Sequence, residues 1–214
     1  MDEALGRGAT PAFLEQAVLV TWHVDYWDYL GWKDPFASKD ATIRQKRYGL
    51  AWKASNLYTP CVVVAGQAVR GDPGAAITAD ASVAPRIAIR SKPKKIAATE
   101  GAIWGELDLA PCPGAVALPE TAHAIAVVLR RAVVTECAAG ENGGKKLSEY
   151  MVALEASPPS AIQGFGFKLH RPAGVPIAEL AVAVIVEDSA TMQPIECRLF
   201  DIEPEPGASP PEEK

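Results

Sequence analysis

The chain has few cysteines, and none belongs to a recognisable cysteine motif. They are Cys61, Cys112, Cys137 and Cys197, and even the nearest two, Cys112 and Cys137, are 25 residues apart. This spacing excludes a zinc-type cysteine pair and a local dithiol motif. We expect most of them to be buried as small apolar groups. A disulfide among them stays open, because spacing alone does not decide pairing.

The chain also lacks long apolar runs. The longest, AIAVVL and LAVAVIV, have the length of strands and fall far short of the about 20 residues that a membrane-spanning helix needs. The first residues, MDEALGRGATPAFLEQ, are acidic and polar where a signal peptide is basic and then apolar. We therefore expect no spanning segment and no signal peptide. No phosphate loop, internal repeat or local nucleophile motif is visible.

An excess of basic residues is absent as well. The 214 residues carry 21 Lys and Arg against 26 Asp and Glu, which gives a net charge of −5. This balance argues against nucleic acid or an anionic membrane as the main partner. Local basic clusters, RQKR and RSKPKK, are interpreted as solvated faces. With 49% hydrophobic residues the composition is that of a globular protein with one large or two small domains.

The first part of the chain predicts an α/β arrangement. Residues 17–24, AVLVTWHV, predict a buried strand, and residues 39–55 predict a helix that Ser38 or Asp40 caps. Apolar side chains lie on two faces of that helix, which indicates that both faces are covered. The segment YTPCVVVAGQAV then predicts a strand over 61–65, begun by Pro60, and a turn into a second short strand.

The second part predicts only strands. After about residue 83, strand-length apolar segments such as RIAIRS, AIWGELDL and FGFKLH alternate with Gly, Pro and Asn turns. Within GENGG, Asn142-Gly143 predicts a tight hairpin turn, whose tip residue Glu141 needs no function. We expect a small β-sandwich over 83–202, after a first domain at 1–82. The Pro- and Glu-rich tail, 203–214, is expected to be disordered.

One stretch, WHVDYWDYLGWKDPFAS (22–38), concentrates aromatic and acidic groups. His23 and Asp25 would lie on one face of a strand, where an imidazole and carboxylates can bind a metal or move a proton. The favoured interpretation is structural: His23 and Asp25 satisfy each other or cap loop amides inside an aromatic cluster. We therefore predict no metal site and no cofactor.

Four segments in order, HVDYWDYLGWKDPFAS, RQKRY, YTPCVVVAGQ and GENGGKKLSEYMVALEA, resemble the thioredoxin-like domain-of-unknown-function family numbered 1223. The resemblance runs from about residue 2 to about residue 200 and is strongest over 22–60. It implies α/β plus β, with an incomplete thioredoxin-like domain followed by a small β-sandwich-like domain. It also implies an extracytoplasmic or organellar location.

The resemblance assigns a role to the aromatic stretch. Pro60 would be the cis-proline of a thioredoxin-like fold, and the aromatic and acidic loop would wall a groove beside it. The groove candidates are Trp22, His23, Asp25, Tyr26, Trp27, Asp28, Trp32, Tyr58, Thr59, Pro60 and Cys61.

The chain departs from the family pattern at its start. Family members carry a strand and a Cys-x-x-Cys-Pro segment ahead of the part that matches this sequence. We therefore expect a redox-inactive thioredoxin-like protein with a binding or structural role, as an accessory subunit that contacts other protein chains. The alternative is an N-terminally incomplete extracytoplasmic thiol-disulfide oxidoreductase, with Met1 as a wrong start.

The departure also predicts dependence on partners. Strand 17–24 would lack a neighbour in the sheet, and buried backbone groups without hydrogen bonds are costly. We expect the chain to be stable only in an assembly, with contacts at residues 1–32 and on the helix face of Ile43 and Leu50.

Overall fold

A computed structural model describes residues 17–71, 74–76, 89–111, 117–140 and 142–205. It is a mixed α/β structure in which strands predominate. A 3-10 segment, Asp25–Leu30, and one helix, α1, Lys39–Ala51, precede the strands. The strands are β1 Val62–Val64, β2 Gln67–Val69, β3 Ile89–Ala98, β4 Ala102–Pro111, β5 Ala122–Glu136, β6 Lys146–Ala156, β7 Phe165–His170, β8 Leu180–Asp188, β9 Pro194–Phe200 and β10 Glu203–Pro204.

Segment 17–24 is not the buried strand that its sequence predicts. It is half-buried and makes only isolated bridges, in which Thr21 pairs with Val152 and Val24 pairs with Ser38. Thr21 exchanges two backbone hydrogen bonds of 2.9 Å with β6, to Met151 and from Ala153. The segment therefore continues the β6 edge in parallel, and Thr21 has the backbone partner that the sequence analysis did not foresee.

Helix α1 begins where its sequence predicts and ends early. The Ser38 hydroxyl accepts a hydrogen bond from the Ala41 N–H at 3.1 Å, which confirms Ser38 as the N-cap. Lys53 has a φ of 51°, a left-handed conformation that a helix cannot contain, so α1 ends at Ala51 instead of 55. The face of Ile43 and Leu50 is exposed in this chain, so no other described part of the chain covers it.

The predicted strand after Pro60 and its short partner are confirmed. β1 and β2 form an antiparallel hairpin through Ala65 and Gly66, as the GQ turn predicts. The Thr59-Pro60 peptide bond is cis, which confirms that prediction also.

Two four-stranded sheets make up the second part of the chain. Their orders are β10-β3-β4-β7 and β6-β5-β8-β9, and all pairs are antiparallel except β10 with β3. The predicted hairpin joins β5 to β6, with its turn at 142–144; Glu141 and Cys112 lie outside the described residues. Residues 203–204, assigned to the tail from sequence, form β10 instead, because their backbone pairs with the end of β3. Residues 206–214 and the predicted domain boundary at 82/83 are outside the described residues.

One apolar core lies between the two sheets. Strand β7 alternates buried and exposed residues, so only one of its faces contributes, whereas β8 is buried on both faces. The core contains Ile103, Leu107, Phe165, Val128, Val182 and Val184, drawn from both sheets.

The first part of the chain covers the outer face of the second sheet. Val18, Val20 and Trp22 pack on a second buried cluster that includes Val127, Leu129 and Ile185. Alternate residues of segment 17–24 therefore face the sheet. Among the described residues, no helix is both long and apolar enough to cross a membrane.

Candidate functional site

The structure separates the sequence-predicted site residues into three places. Tyr26, Trp27 and residues 58–61 meet at one edge of α1, beside the β1–β2 hairpin. His23 belongs to a cluster with Asp34 and Glu149 against β6, whereas Asp25 and Asp28 bond to other groups. Trp22 and Trp32 contact other parts of the second sheet. The predicted single groove is therefore only partly assembled from its eleven candidates.

At the α1 edge, hydrogen bonds join the aromatic stretch to the Pro60 loop. The indole N–H of Trp27 donates to Thr59 Oγ1 at 2.9 Å. The Tyr26 hydroxyl donates to Gln45 Oε1 at 2.9 Å, and Gln45 Nε2 donates to the Tyr58 carbonyl at 3.0 Å. Gln45 thus fixes both the loop and the approach to Pro60, although its sequence position gave no sign of this role.

An open depression of about 620 Å³ lies next to this junction. Cys61, Tyr58 and Gln45 line it together with Trp52, Gln67, Arg70 and Gln193. The guanidinium carbon of Arg70 lies 4.8 Å from the centroid of the Tyr58 ring, a cation–π distance. The depression therefore offers a half-buried thiol, one cation and several neutral polar groups.

The second place is an ionised cluster around His23. Its Nδ1 lies 2.6 Å from Asp34 Oδ2, and its Nε2 lies 3.3 Å from Glu149 Oε1 on β6. The Thr135 hydroxyl donates to Glu149 Oε2 at 2.7 Å, and the Phe36 N–H donates to Asp34 Oδ1 at 2.8 Å. The cluster connects the aromatic stretch to the second sheet.

The cluster shifts the ionisation of its members. Burial alone would lower the pKa of His23, but the hydrogen bond to Asp34 and the charges of Asp34 and Glu149 raise it above its usual value. Burial alone would raise the pKa of Asp34, but hydrogen bonds from His23 and Phe36 lower it. Both shifts favour an imidazolium facing two carboxylates.

Asp25 and Asp28 stand apart from the His23 ring. Asp25 Oδ1 accepts a hydrogen bond from the Thr42 hydroxyl at 2.5 Å, which ties the 3-10 segment to α1. Asp28 Oδ1 accepts one from the Asp34 N–H at 3.4 Å. The hypothesis that His23 and Asp25 satisfy each other is therefore wrong. Among the described residues, no group of three or more His, Cys, Asp or Glu side chains is suited to holding a metal ion.

The two tryptophans of the third place have structural surroundings. The guanidinium carbon of Arg44 lies 5.1 Å from the centroid of the Trp22 ring. The same guanidinium forms a two-point ion pair with the fully buried Glu187 of β8. Trp32 lies beside Gly140, in the connection between β5 and β6. Neither ring faces the depression.

The three described cysteines are free thiols. Burial raises the pKa of Cys137, which is 2% exposed, and it raises the pKa of Cys197 to about 12. Cys61 is half-buried and lines the depression. Burial thus disfavours the thiolate, which is the nucleophilic form, at two of the three.

Exposed apolar side chains gather in one part of the chain. Of the eight large apolar residues that are exposed among the described residues, six lie between positions 27 and 57. They are Trp27, Tyr29, Leu30, Ile43, Leu50 and Leu57; the other two are Val134 and Leu199. We call these six residues the exposed apolar set.

Sequence reasoning missed the partners that complete these sites. Asp34 was one of three acids noted in the aromatic stretch, and Glu149 lies in a segment already singled out for its resemblance. Glu187 directly follows the apolar run LAVAVIV. Because acids are rarely buried without a partner, an acid at the end of a buried strand could have indicated a buried ion pair. Arg44 begins the cluster RQKR, which the sequence analysis interpreted as a solvated face; its burial in the ion pair with Glu187 corrects that interpretation for this residue. Arg70 gave no signal, because its partner Tyr58 lies across a turn.

Comparison with known proteins identifies the family of this chain and a solved structure with a similar fold. Residues 2–187 match the model of the family described as "Protein of unknown function (DUF1223)". The crystal structure of protein AGR_C_4864 from Agrobacterium tumefaciens is similar to this chain, with 22% identity and a TM-score of 0.61. That match covers 98% of this chain and 89% of the Agrobacterium chain.

A second solved structure is less similar. HBP35 of Porphyromonas gingivalis shows 14% identity and a TM-score of 0.49, over 79% of this chain and 63% of that one. No curated protein matches significantly. Since the family model covers most of the chain, the chain belongs to the DUF1223 family.

Proposed function

We propose that this member of the DUF1223 family is a protein-binding module, an accessory subunit of a larger assembly, in which Cys61, Cys137 and Cys197 perform no thiol–disulfide exchange. The described part of residues 1–82 would form a thioredoxin-like half, and the two sheets would form a small β-sandwich-like domain. The order of loop, helix, Pro-led strand and hairpin supports the first assignment, and the shared core of the two sheets supports the second.

The exposed apolar set is the observation that carries this proposal. Tyr29 and Leu50 are 76% and 78% exposed, although their side chains are large enough to gain from burial. Single exposed apolar residues are ordinary on a protein surface, so the proposal rests on the position of six of them between 27 and 57, where the 3-10 segment and α1 contact each other. The basic residues Lys39 and Lys46 share the outer face of α1 with Ile43 and Leu50, so a partner with acidic groups is favoured there.

The state of the thiols supports the second half of the proposal. Exchange requires a thiolate with access to a disulfide, and burial opposes ionisation at Cys137 and Cys197. Cys61 is the more accessible candidate, but the described cysteines form no disulfide and give it no resolving partner. A half-buried thiol without a resolving partner suits a binding surface better than a catalytic cycle.

Co-purification with a matched pair of variants tests the binding function. We expect Tyr29→Ser combined with Leu50→Ser to lose the protein that co-purifies with the tagged wild-type chain. Val134→Ser combined with Leu199→Ser, which removes two exposed apolar residues elsewhere, should retain it. Exposed substitutions of this kind alter stability by about 0.5 kcal/mol or less, so both variants should fold. Equal recovery from both would remove the observation on which the proposal rests.

An oxidoreductase is the competing function, and the position of Cys61 at the depression is what favours it. Insulin reduction by the 214-residue chain separates the two. We expect turnover no higher than that of a variant with all four cysteines changed to serine. Turnover well above that control would refute the redox-inactive assignment and would point to Cys61.

A further inference from the structure

We propose that the imidazolium form of His23 holds segment 25–37 against β6, and that loss of its proton releases the segment from β6 while residues 25–27 stay bonded to α1 and the Pro60 loop. One consequence of the inference rests on the proposed function. Segment 25–37 contains Trp27, Tyr29 and Leu30 of the exposed apolar set, which the proposed function assigns to partner binding. Proton loss would then weaken partner binding.

The His23 ring lies between two carboxylates. Nδ1 forms a 2.6 Å hydrogen bond with Asp34 Oδ2, and Nε2 lies 3.3 Å from Glu149 Oε1, an ion-pair distance. A neutral imidazole has one N–H and one lone pair, whereas an imidazolium has an N–H on each nitrogen and a positive charge. A neutral His23 that donates to Asp34 would therefore turn a lone pair toward Glu149, whereas the imidazolium places a positive charge between both acids.

Neither carboxylate is free to turn away from the ring. The far oxygen of Glu149 accepts a hydrogen bond from the Thr135 hydroxyl, and the far oxygen of Asp34 accepts one from the Phe36 N–H. These bonds are of the charge-assisted kind that stabilises an ionised acceptor. The Thr135 hydroxyl and the Phe36 N–H therefore hold both acids in place whatever the protonation state of His23.

The acidic groups around the His23 ring oppose docking of segment 25–37 on β6 once His23 has lost its proton. Asp34 and Asp28 approach from the aromatic stretch, Glu149 from β6, and Thr135 and the Cys137 thiol from β5 and its end. Lys145 acts on the Cys137 side. The side chains of His23, Asp34 and Glu149 are only 11%, 22% and 17% exposed. Without the imidazolium, two little-exposed carboxylates would face each other across a neutral ring, which is costly.

The ends of segment 25–37 are fixed independently of the proton. The His23 carbonyl accepts a hydrogen bond from the Ser38 N–H at 3.0 Å, and Thr21 bonds to the backbone of β6. Asp34 lies inside the segment, whereas Glu149 lies on β6. Because His23 joins these two acids, its protonation state acts on the contact between the segment and β6. The hydrogen bonds of Asp25, Tyr26 and Trp27 to α1 and the Pro60 loop do not involve His23 and remain.

The direction of the effect follows from the raised pKa of His23. A group whose pKa is higher in the docked form than in the free form stabilises docking below the free value, which is 6.5 for histidine. That stabilisation is lost as the pH rises from 6.5 through the raised pKa, and the loss is complete above the raised pKa. The segment is therefore released from β6 as the pH rises above 6.5 and through the raised pKa of His23.

Hydrogen exchange of the full chain across this pH range, with imidazole NMR, tests the inference. We expect protection factors of amides in 25–37 to fall about tenfold per pH unit between 6.5 and the measured pKa of His23, while core amides of β5 and β8 stay protected. Glu149→Gln should keep the segment protected at high pH, because its amide can donate to the neutral Nε2. His170→Gln, which alters an exposed histidine, should behave as wild type.

Each outcome is decisive without any partner. The inference is overturned if the protection of amides in 25–37 does not change as His23 titrates. It is also overturned if Glu149→Gln shows the same pH dependence as wild type. Exchange that follows the titration supports it even if no partner is found, and in that case only the proposed binding function fails.

Discussion

The guanidinium of Arg44 on α1 is held by both carboxylate oxygens of Glu187 on β8, with N–O distances of 2.9 and 2.5 Å. These two residues are 143 positions apart, and Glu187 is fully buried. His123 Nε2 lies 3.3 Å from the same carboxylate. The pair is therefore a buried connection between the first part of the chain and the second sheet, beneath the helix that carries part of the exposed apolar set.

Breaking this pair on one side should be strongly destabilising. Arg44→Met leaves the Glu187 carboxylate buried with its main partner gone, and we expect the free energy of unfolding to fall by about 3–5 kcal/mol. Urea unfolding followed by circular dichroism measures it. Arg131→Met, which breaks a pair with the exposed Asp201, should cost less than about 1 kcal/mol. Equal losses in the two variants would contradict the account of the Arg44 pair.

Close packing at Gly105 gives a second prediction. A methyl group added there would lie 2.7 Å from the Phe167 ring and 3.0 Å from Ile96, inside the first sheet. Gly105→Ala should therefore lower the free energy of unfolding by about 1–3 kcal/mol. Gly101→Ala, where a methyl group meets no atom within 4 Å, serves as the control and should change it little. A tolerated Gly105→Ala would show that this strand packing is looser than described.

The lowered pKa of Asp34 predicts how acid acts on stability. A carboxyl group with a depressed folded pKa stabilises the fold above its unfolded value, near 3.8, and loses that contribution as the pH falls through the folded value. The stability difference between wild type and Asp34→Asn should thus be constant between about pH 5 and 6, below the titration of His23, and shrink in stronger acid. Asp201→Asn, at an exposed position, should show no such trend. A difference that grows in acid would mean that the sign is wrong.

Thiol alkylation gives a fourth prediction, in a Cys112→Ser background. Because Cys137 is almost fully buried, we expect it to be modified at pH 8 only at the rate of unfolding. Cys197 is half-buried, and because burial raises its pKa to about 12 we expect it to react slowly in the native state. Mass spectrometry at stepwise urea concentrations measures both rates. Rapid labelling of Cys137 in the native state would contradict its burial.

Local features of this fold could be predicted from the sequence. Ser38 caps α1, Asn142-Gly143 turns the hairpin between β5 and β6, and the alternation in FGFKLH gives a strand with one buried face. Each signal acts within a few residues, where backbone and side-chain preferences decide the outcome.

Contacts between distant residues could not be predicted in this way. Segment 17–24 has the composition of a buried strand, yet its partner is the edge of β6, about 130 residues further along the chain. The sequence placed His23 with its neighbour Asp25, whereas the ring faces Glu149 across the fold. A single sequence does not indicate which distant residues pair, because many acids could serve equally well as the partner of one histidine.

Site-specific photo-crosslinking in living cells tests the central claim, that the exposed apolar set binds another protein. A photoreactive phenylalanine derivative replaces Tyr29 in one strain, Leu50 in a second and Val134 in a third, each an exposed position. The account predicts the same discrete adducts from positions 29 and 50 and none of them from position 134. Absence of adducts from both 29 and 50, or identical adducts from all three positions, would contradict it.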